Sequence, residues 1–476
     1  METRGASVST SERRQSPFRL GVLLQVALPF LMAAAYFAVT RVAQMDGDSP
    51  CYLQWCAKRT SVYPMFLNLV DRDVLLPVQL LLFAVAIAAL ALVAFRYSGT
   101  LIFSGMLTAG MLANPYLWQL QGSIMSEAIT TPLLVVLLIL TLQSAMRGRP
   151  LLFGAASLVA GIMTATRPSC LPLLIIPLAV LWLSGQRSMG MKIRLTALCV
   201  VLWLVPVVAD RAVTQAVLGN EQSSLAGRHV FAKAALIDAP PLDRSDMSLP
   251  DRRLADVLER DYAPVRRVVA PLTGNVRDVV RLNYEVCFQY ACTDAATRDV
   301  GLKGAALDEA LYRVGLARLR QNLGAYLDLS VDEFRGEWLL HPRKHPTLAR
   351  DYNAFLRSAA PLPFQYLLGE EGQIVRADQQ KSLYRVNRAA FLAIAVIIPI
   401  LLSVLVYLLT TRPRRPLVIA SFSALAGVIA VQVFTAMFGV GIPRYTMGLW
   451  PAIVFAFVTA AFALFERYRE THLSRG

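Results

Sequence analysis

Long apolar runs alternate with short basic stretches along most of this chain, and the alternation is interrupted once. The runs stand near residues 18–40, 75–95, 99–114, 126–145, 150–166, 169–185, 193–210, 387–410, 416–437 and 448–466. A bilayer crossing needs about 20 apolar residues, so the pattern predicts about ten transmembrane helices. Pro172 and Pro177 fall inside the run at 169–185, where neighbouring helices of a bundle accommodate them. Between about 212 and 385 the runs give way to Asp, Glu, Arg and Gln over a length typical of a domain. Leu307, Leu311 and Val314 recur there at helical spacing, with Asp308, Arg313, Arg318 and Arg320 at polar positions. Alternating strand patterns are scarce, and Pro240, Pro241, Pro250, Pro342 and Pro346 cut the stretch into short pieces. The expected fold class is an all-α polytopic membrane protein with a mainly helical extracytoplasmic domain inserted before the last three helices. The expected layout is a transmembrane core over 1–211, the domain over 212–385 and C-terminal helices over 386–476.

Charge sets the orientation. Arg13, Arg14 and Arg19 precede the first run; Arg96, Arg147, Arg149, Arg187, Lys192 and Arg194 occupy alternate loops; Arg412, Arg414, Arg415, Arg467 and Arg469 continue the series. All fall on one side when the runs are counted in order, and the positive-inside rule makes that side cytoplasmic. Both termini are then inside, in what we expect to be a bacterial inner membrane. The net charge of +15 therefore follows from topology and from anchoring to anionic lipid. No compact basic stripe with interleaved aromatics supports a nucleic-acid partner. The first run has a basic start and small residues at Ala33–Ala35, but it is long for a signal peptide and reads as an anchor. Of six cysteines, Cys170 and Cys199 fall within runs as packing residues, while Cys51, Cys56, Cys287 and Cys292 fall outside, where disulfides persist. Local bridges are open to both outer pairs. No spacing matches a zinc site, and His341 and His345, beside Trp338-Leu339-Leu340, suit packing better than catalysis.

Candidate chemistry gathers on the outer side. Directly after the first run the chain reads MDGDSP, which sets Asp46 and Asp48 at the membrane boundary. Acidic groups are costly there unless paired or used. The loop that follows, from about Val42 to Asp73, carries Tyr52, Leu53, Trp55, Tyr63, Pro64, Phe66 and Leu67, and this amphipathic content predicts that it lies along the membrane surface. Glu127 lies in SIMSEAI at the outer start of the fourth run, after Asn114-Pro115-Tyr116. Arg167 lies in ATRPS at the outer end of the fifth, and Arg444 and Tyr445 lie in GIPRYTMGLWP between the last two. Arg at a helix end ordinarily snorkels to headgroups. Outer ends should nevertheless be poor in Arg, which makes Arg167 and Arg444 the exceptions to explain.

MDGDSPCYLQW in the first outer loop, YPMF at 63–66, SE at 126–127, RP at 167–168 and PRY at 443–445 together resemble the GT-C superfamily. Its members are polytopic glycosyltransferases that use polyprenyl-phosphate sugars and include protein O-mannosyltransferases and aminoarabinose transferases. The resemblance covers the membrane core and not the stretch at 212–385. The family often shows Asp-Glu where this chain has Asp-Gly-Asp, which leaves open whether Asp46 or Asp48 is the base. The resemblance implies transfer of a sugar, with inversion, from a polyprenyl-phosphate donor to a hydroxyl of a glycan, lipid or protein acceptor.

On that view a first-loop carboxylate deprotonates the acceptor. Arg167 and Arg444, with Tyr445, hold the departing phosphate, and Glu127 orients the acceptor or helps hold a metal. A divalent metal is compatible with these residues and not required by them. No nucleotide-binding loop is present, as such a donor would have it. A transporter or flippase of lipid-linked glycans is the alternative from another class, although its repeat halves and midplane polar sites are missing here. A polysaccharide polymerase or ligase is a third.

Overall fold

The computed structural model describes residues 11–45, 48–56, 59–185, 187–219, 225–237, 240–262, 300–339, 401–402, 404–406, 410–411, 415–439 and 443–473. Every named element among them is helical, and the one extended pairing described is an isolated parallel bridge between Gln44 and Ser123. Six helices among the described residues are long and apolar enough to cross a bilayer: α1 (Ser11–Thr40), α4 (Arg72–Ser98), α7 (Glu127–Arg147), α10 (Met189–Leu218), and two C-terminal helices, Pro416–Phe438 and Trp450–Leu473. This is a multi-pass membrane protein. Between α1 and α4 lie two short helices, α2 (Ser49–Leu53) and α3 (Val62–Leu69).

Two expected crossings differ, and a third keeps its bounds. The run at 99–114 forms α5 (Leu101–Leu112), and a separate short helix, α6 (Pro115–Gln121), follows it. Twelve residues rise only about 18 Å, short of a bilayer core. The break falls at Asn114-Pro115, because proline disfavours helix at the residue before it, and the Asn114 side chain restarts the chain by accepting from the Tyr116 N–H at 3.0 Å. The run at 150–166 is α8 (Pro150–Thr166), 17 residues long. The run at 169–185 splits into a 3-10 turn, Pro168–Leu174, and α9 (Ile175–Leu183), again at prolines. Helix α10 continues to Leu218, past the boundary expected at 211. Most of the run at 387–410 lies outside the described residues.

Helices α4 and α7 pack with the two C-terminal helices around Phe83, Leu90, Phe103, Leu138, Val428 and Phe455. Helix α8 closes on α10 through Gly161, where a Cβ would stand 2.3 Å from the Trp203 carbonyl oxygen, so this close approach admits only glycine. Helices α1 and α10 leave most of their apolar surface exposed, as lipid-facing helices do.

The inserted stretch is helical where described: α11 (Ala226–Leu236), α12 (Leu249–Asp256), α13 (Gly304–Gln321) and α14 (Leu323–Leu339). Leu307, Leu311 and Val314 are buried against Phe231 and Leu254. Asp308 and Arg318 are buried as well. Arg318 donates to the carbonyls of Ala234 and Ile237, and Asp308 accepts from the Arg228 N–H at 3.2 Å. Near its end α14 reaches the membrane bundle, where Trp338 joins the main core. The chain is completed by α15 (Pro416–Phe438), α16 (Pro443–Gly448) and α17 (Trp450–Leu473). Cys51 and Cys56 are disulfide-bonded, Cys170 and Cys199 are buried thiols, and Cys287, Cys292, His341 and His345 lie outside the described residues.

Candidate functional site

The loop after α1 is stitched to the bundle. Gln44 pairs with Ser123, and the Ser49 hydroxyl donates to the Ile124 carbonyl at 2.8 Å. Thr60 donates to the Thr166 carbonyl at 2.8 Å. Ser61 gives both its N–H (2.7 Å) and its hydroxyl (2.6 Å) to the Asp210 carboxylate on α10. Of the residues that make this loop amphipathic, Trp55 and Phe66 stay half-buried, while Tyr52, Tyr63 and Leu67 turn inward and are buried with Leu75 and Ile124. Their polar ends explain this, since a buried phenol needs a partner. Gln79 donates to the Tyr63 oxygen at 2.9 Å, and Tyr52 donates to Ser126 at 3.1 Å. Burial pushes the Tyr52 phenol up, against a smaller opposing pull from Arg59, so its hydroxyl stays a donor.

From Tyr52 a polar line runs across the same end of the bundle. Ser126 donates to Glu127 Oε2 at 3.2 Å, and Glu127 Oε1 meets Arg167 Nη1 at 2.6 Å. Arg167 Nε donates to Ser169 at 3.0 Å, and its guanidinium stands 4.4 Å from the centre of the Tyr445 ring. The Glu127 side chain is 1% exposed and that of Arg167 12%. Arg167 follows the last turn of α8 in extended backbone (φ −151°, ψ 109°) because Pro168 comes next. That departure from helix turns the side chain across the bundle end. On the other side of Tyr52, Arg59 stands 5.5 Å from its ring and pairs with Asp48 at 2.5 Å.

Glu127, Arg167 and Tyr445 are therefore in direct contact, and Asp48 joins them through Arg59, Tyr52 and Ser126. Asp46 and the side chain of Arg444 lie outside the described residues. Arg167 is no isolated snorkelling cation: a carboxylate and an aromatic face meet it. Sequence reasoning missed Arg59 and Asp210, and it had Ser126 and Ser169 only as parts of SIMSEAI and ATRPS. Asp210 carries no local signal, whereas Arg59, in the loop expected to lie outside, broke the same charge rule that marked Arg167. His229 on α11 also lies within electrostatic reach of Arg59, and burial holds its imidazole down at about 4. Among the described residues no three His, Cys, Asp or Glu side chains gather as a metal site would require. A cavity lined by Tyr97, Met146, Arg415 and Glu466 lies at the opposite end of the bundle and shares none of these groups. No family model, curated protein or solved structure matches this chain.

Proposed function

We propose that this protein is a GT-C-type glycosyltransferase that moves a sugar from a polyprenyl-phosphate donor to an acceptor hydroxyl on the outer face of a bacterial inner membrane. The observation that carries the reading is the meeting of Glu127, Arg167 and Tyr445, drawn from three distant parts of the chain, beside a loop that bears Asp46 and Asp48. In the step proposed, a first-loop carboxylate takes the proton from the acceptor hydroxyl and the acceptor oxygen bonds to the anomeric carbon. The bond from that carbon to the phosphate oxygen breaks, and the phosphate leaves as an anion beside guanidinium groups. Asp48 is already engaged by Arg59, so we assign the proton to Asp46 and a supporting role to Asp48. The Cys51–Cys56 disulfide supports placing this end on the oxidising side of the membrane, with both termini cytoplasmic. A bidentate guanidinium suits a phosphate better than an ammonium does.

The test is release of polyprenyl phosphate by the purified protein from a panel of synthetic polyprenyl-phosphate sugars, with membrane extract as the source of acceptor. Asp46→Asn should lower turnover by about 10²- to 10⁴-fold, the usual cost of losing a general base. Arg444→Ala should abolish donor binding, and Arg444→Lys should leave a partial defect. Release from no donor in the panel, or normal binding by Arg444→Ala, overturns the assignment. Movement of intact donor across liposomes without release would indicate a flippase instead.

A further inference from the structure

The inserted segment grips the helix that carries Tyr445 at both of its approaches. Lys233 on α11 is fully buried, and its Nζ donates to the carbonyls of Ala436 (2.7 Å) and Gly439 (3.2 Å) at the end of α15. Tyr326 on α14 donates to the Met437 carbonyl at 3.0 Å. The last carbonyls of a helix have no intrahelical partner and carry the negative end of its dipole. Here the inserted segment supplies both the donors and the positive charge.

A few residues later α16 begins, and the same segment meets it again. Thr446 donates to the Glu337 carbonyl at 3.3 Å, and Gln432 donates to Thr446 at 3.5 Å. Thr435 donates to Glu337 Oε1 at 2.6 Å, while Glu337 Oε2 is buried with no hydrogen-bond partner among the described residues. Burial raises the Glu337 carboxyl well above its ordinary range and lowers the Lys233 ammonium to about 8. Tyr445, next to Thr446, packs against the core of the inserted segment that contains Phe231 and Leu311, and Arg167 lies over its ring.

Fixing a domain to a membrane bundle requires only apolar contact, which Trp338 already provides. Burying an ammonium and a carboxyl costs several kcal/mol unless their bonds are specific. Lys233 meets the end of α15, and Glu337 meets Thr435 on α15 and Thr446 on the helix that carries Tyr445. The geometry points to Lys233 and Glu337 as positioning residues through which the inserted segment sets the place of Tyr445 over Arg167. Only the kinetic consequence of this inference rests on the glycosyltransferase reading.

The test compares Lys233→Met and Glu337→Leu with the conservative Lys233→Arg and Glu337→Gln, each in the full chain. Hydrogen exchange at 443–448 and modification of Arg167 by phenylglyoxal need no substrate. Met and Leu variants should show at least about tenfold faster exchange there and greater Arg167 labelling, with 127–147 and 150–166 unchanged, since local opening can be confined to one segment. Glu337→Gln keeps an acceptor for Thr435 and should stay near wild type. Unchanged exchange at 443–448 overturns the proposal, as does faster exchange spread evenly over the bundle. Should Glu337→Leu fail to fold, Thr435→Val removes the same side-chain bond with less disturbance, and unchanged exchange at 443–448 in that variant overturns the proposal equally. Local opening in a protein that releases sugar from no donor would uphold the positioning role and remove the proposed function.

Discussion

The Glu127–Arg167 pair should respond asymmetrically to loss of either partner. Removing Arg167 leaves behind a carboxylate that is 1% exposed, whereas removing Glu127 leaves a guanidinium that is 12% exposed and still holds Ser169 and the Tyr445 ring. Breaking a buried pair so that one charge is stranded costs about 3–5 kcal/mol. Arg167→Met should cost that much, plus about 1 kcal/mol for the lost ring contact. Glu127→Gln keeps an oxygen that can accept from Arg167, so only the charge-assisted part of the bond is lost, about 1–2 kcal/mol. Combining the two changes should recover about 2 kcal/mol, because a neutral amide needs no cation, and a double-mutant cycle reads this directly. Thermal unfolding of such a protein is rarely reversible, so the measurement is equilibrium unfolding by SDS in mixed micelles. Equal losses in the two single variants, or additivity within about 0.5 kcal/mol, would refute the claim that this is a buried, coupled pair.

Three other outcomes follow from the same contacts. Asp210→Ala removes the acceptor of both Ser61 bonds, and should cost about 2–3 kcal/mol, as bonds to charged groups do. Hydrogen exchange should rise through α3, and an α3 as protected as in wild type counts against the loop anchor. His229 has its pKa depressed from 6.5 to about 4, chiefly by burial, so the folded state takes up that proton later than the unfolded state does. Its contribution is complete above pH 6.5 and is lost as pH falls towards 4. His229→Gln should therefore unfold less steeply with acid across that window, and an unchanged acid profile counts against the burial. Finally, reporter fusions after Gly301 and after Gly476 should give opposite sidedness signals, and matching signals would place the inserted stretch and the C-terminus on one face.

The apolar runs made the helical membrane fold legible, because bilayer-length hydropathy is a long signal that few substitutions blur. The shortness of α5 and the 3-10 turn around Pro172 within the run at 169–185 did not show in the hydropathy, since hydropathy averages over residues and a proline break is local. Arg167 stood out because an outer helix end should be poor in Arg, Glu127 because a carboxylate is less natural at such an end, and Tyr445 entered beside Arg444 in PRY. Arg167 then proved to have its carboxylate in the structure. Tyr52 and Tyr63 were read as surface aromatics because amphipathic content does not say whether the polar end faces water or a buried hydroxyl. Lys233 and Glu337 were invisible for a related reason. On isolated α11 and α14 they look like ordinary charged positions, and only the carbonyls of α15 and the hydroxyl of Thr435 make them buried ones.

The charges at the loop-bearing end bear on the proposed phosphate site. Asp48 meets Arg59 and Glu127 meets Arg167, so these two pairs are close to neutral together. Neutral pairs can hold the residues in place without a ligand, and buried guanidinium groups would be far more costly alone. To bind a phosphate the end needs positive charge beyond these pairs, and Arg444 in PRYTMG is the basic residue the sequence places next to Tyr445. On the proposed reading the pairs also limit how strongly a phosphate is held, because each guanidinium would share its donors between a resident carboxylate and the incoming oxygen. A transferase of the proposed kind would gain from that sharing, since release of a tightly held product limits kcat in many enzymes.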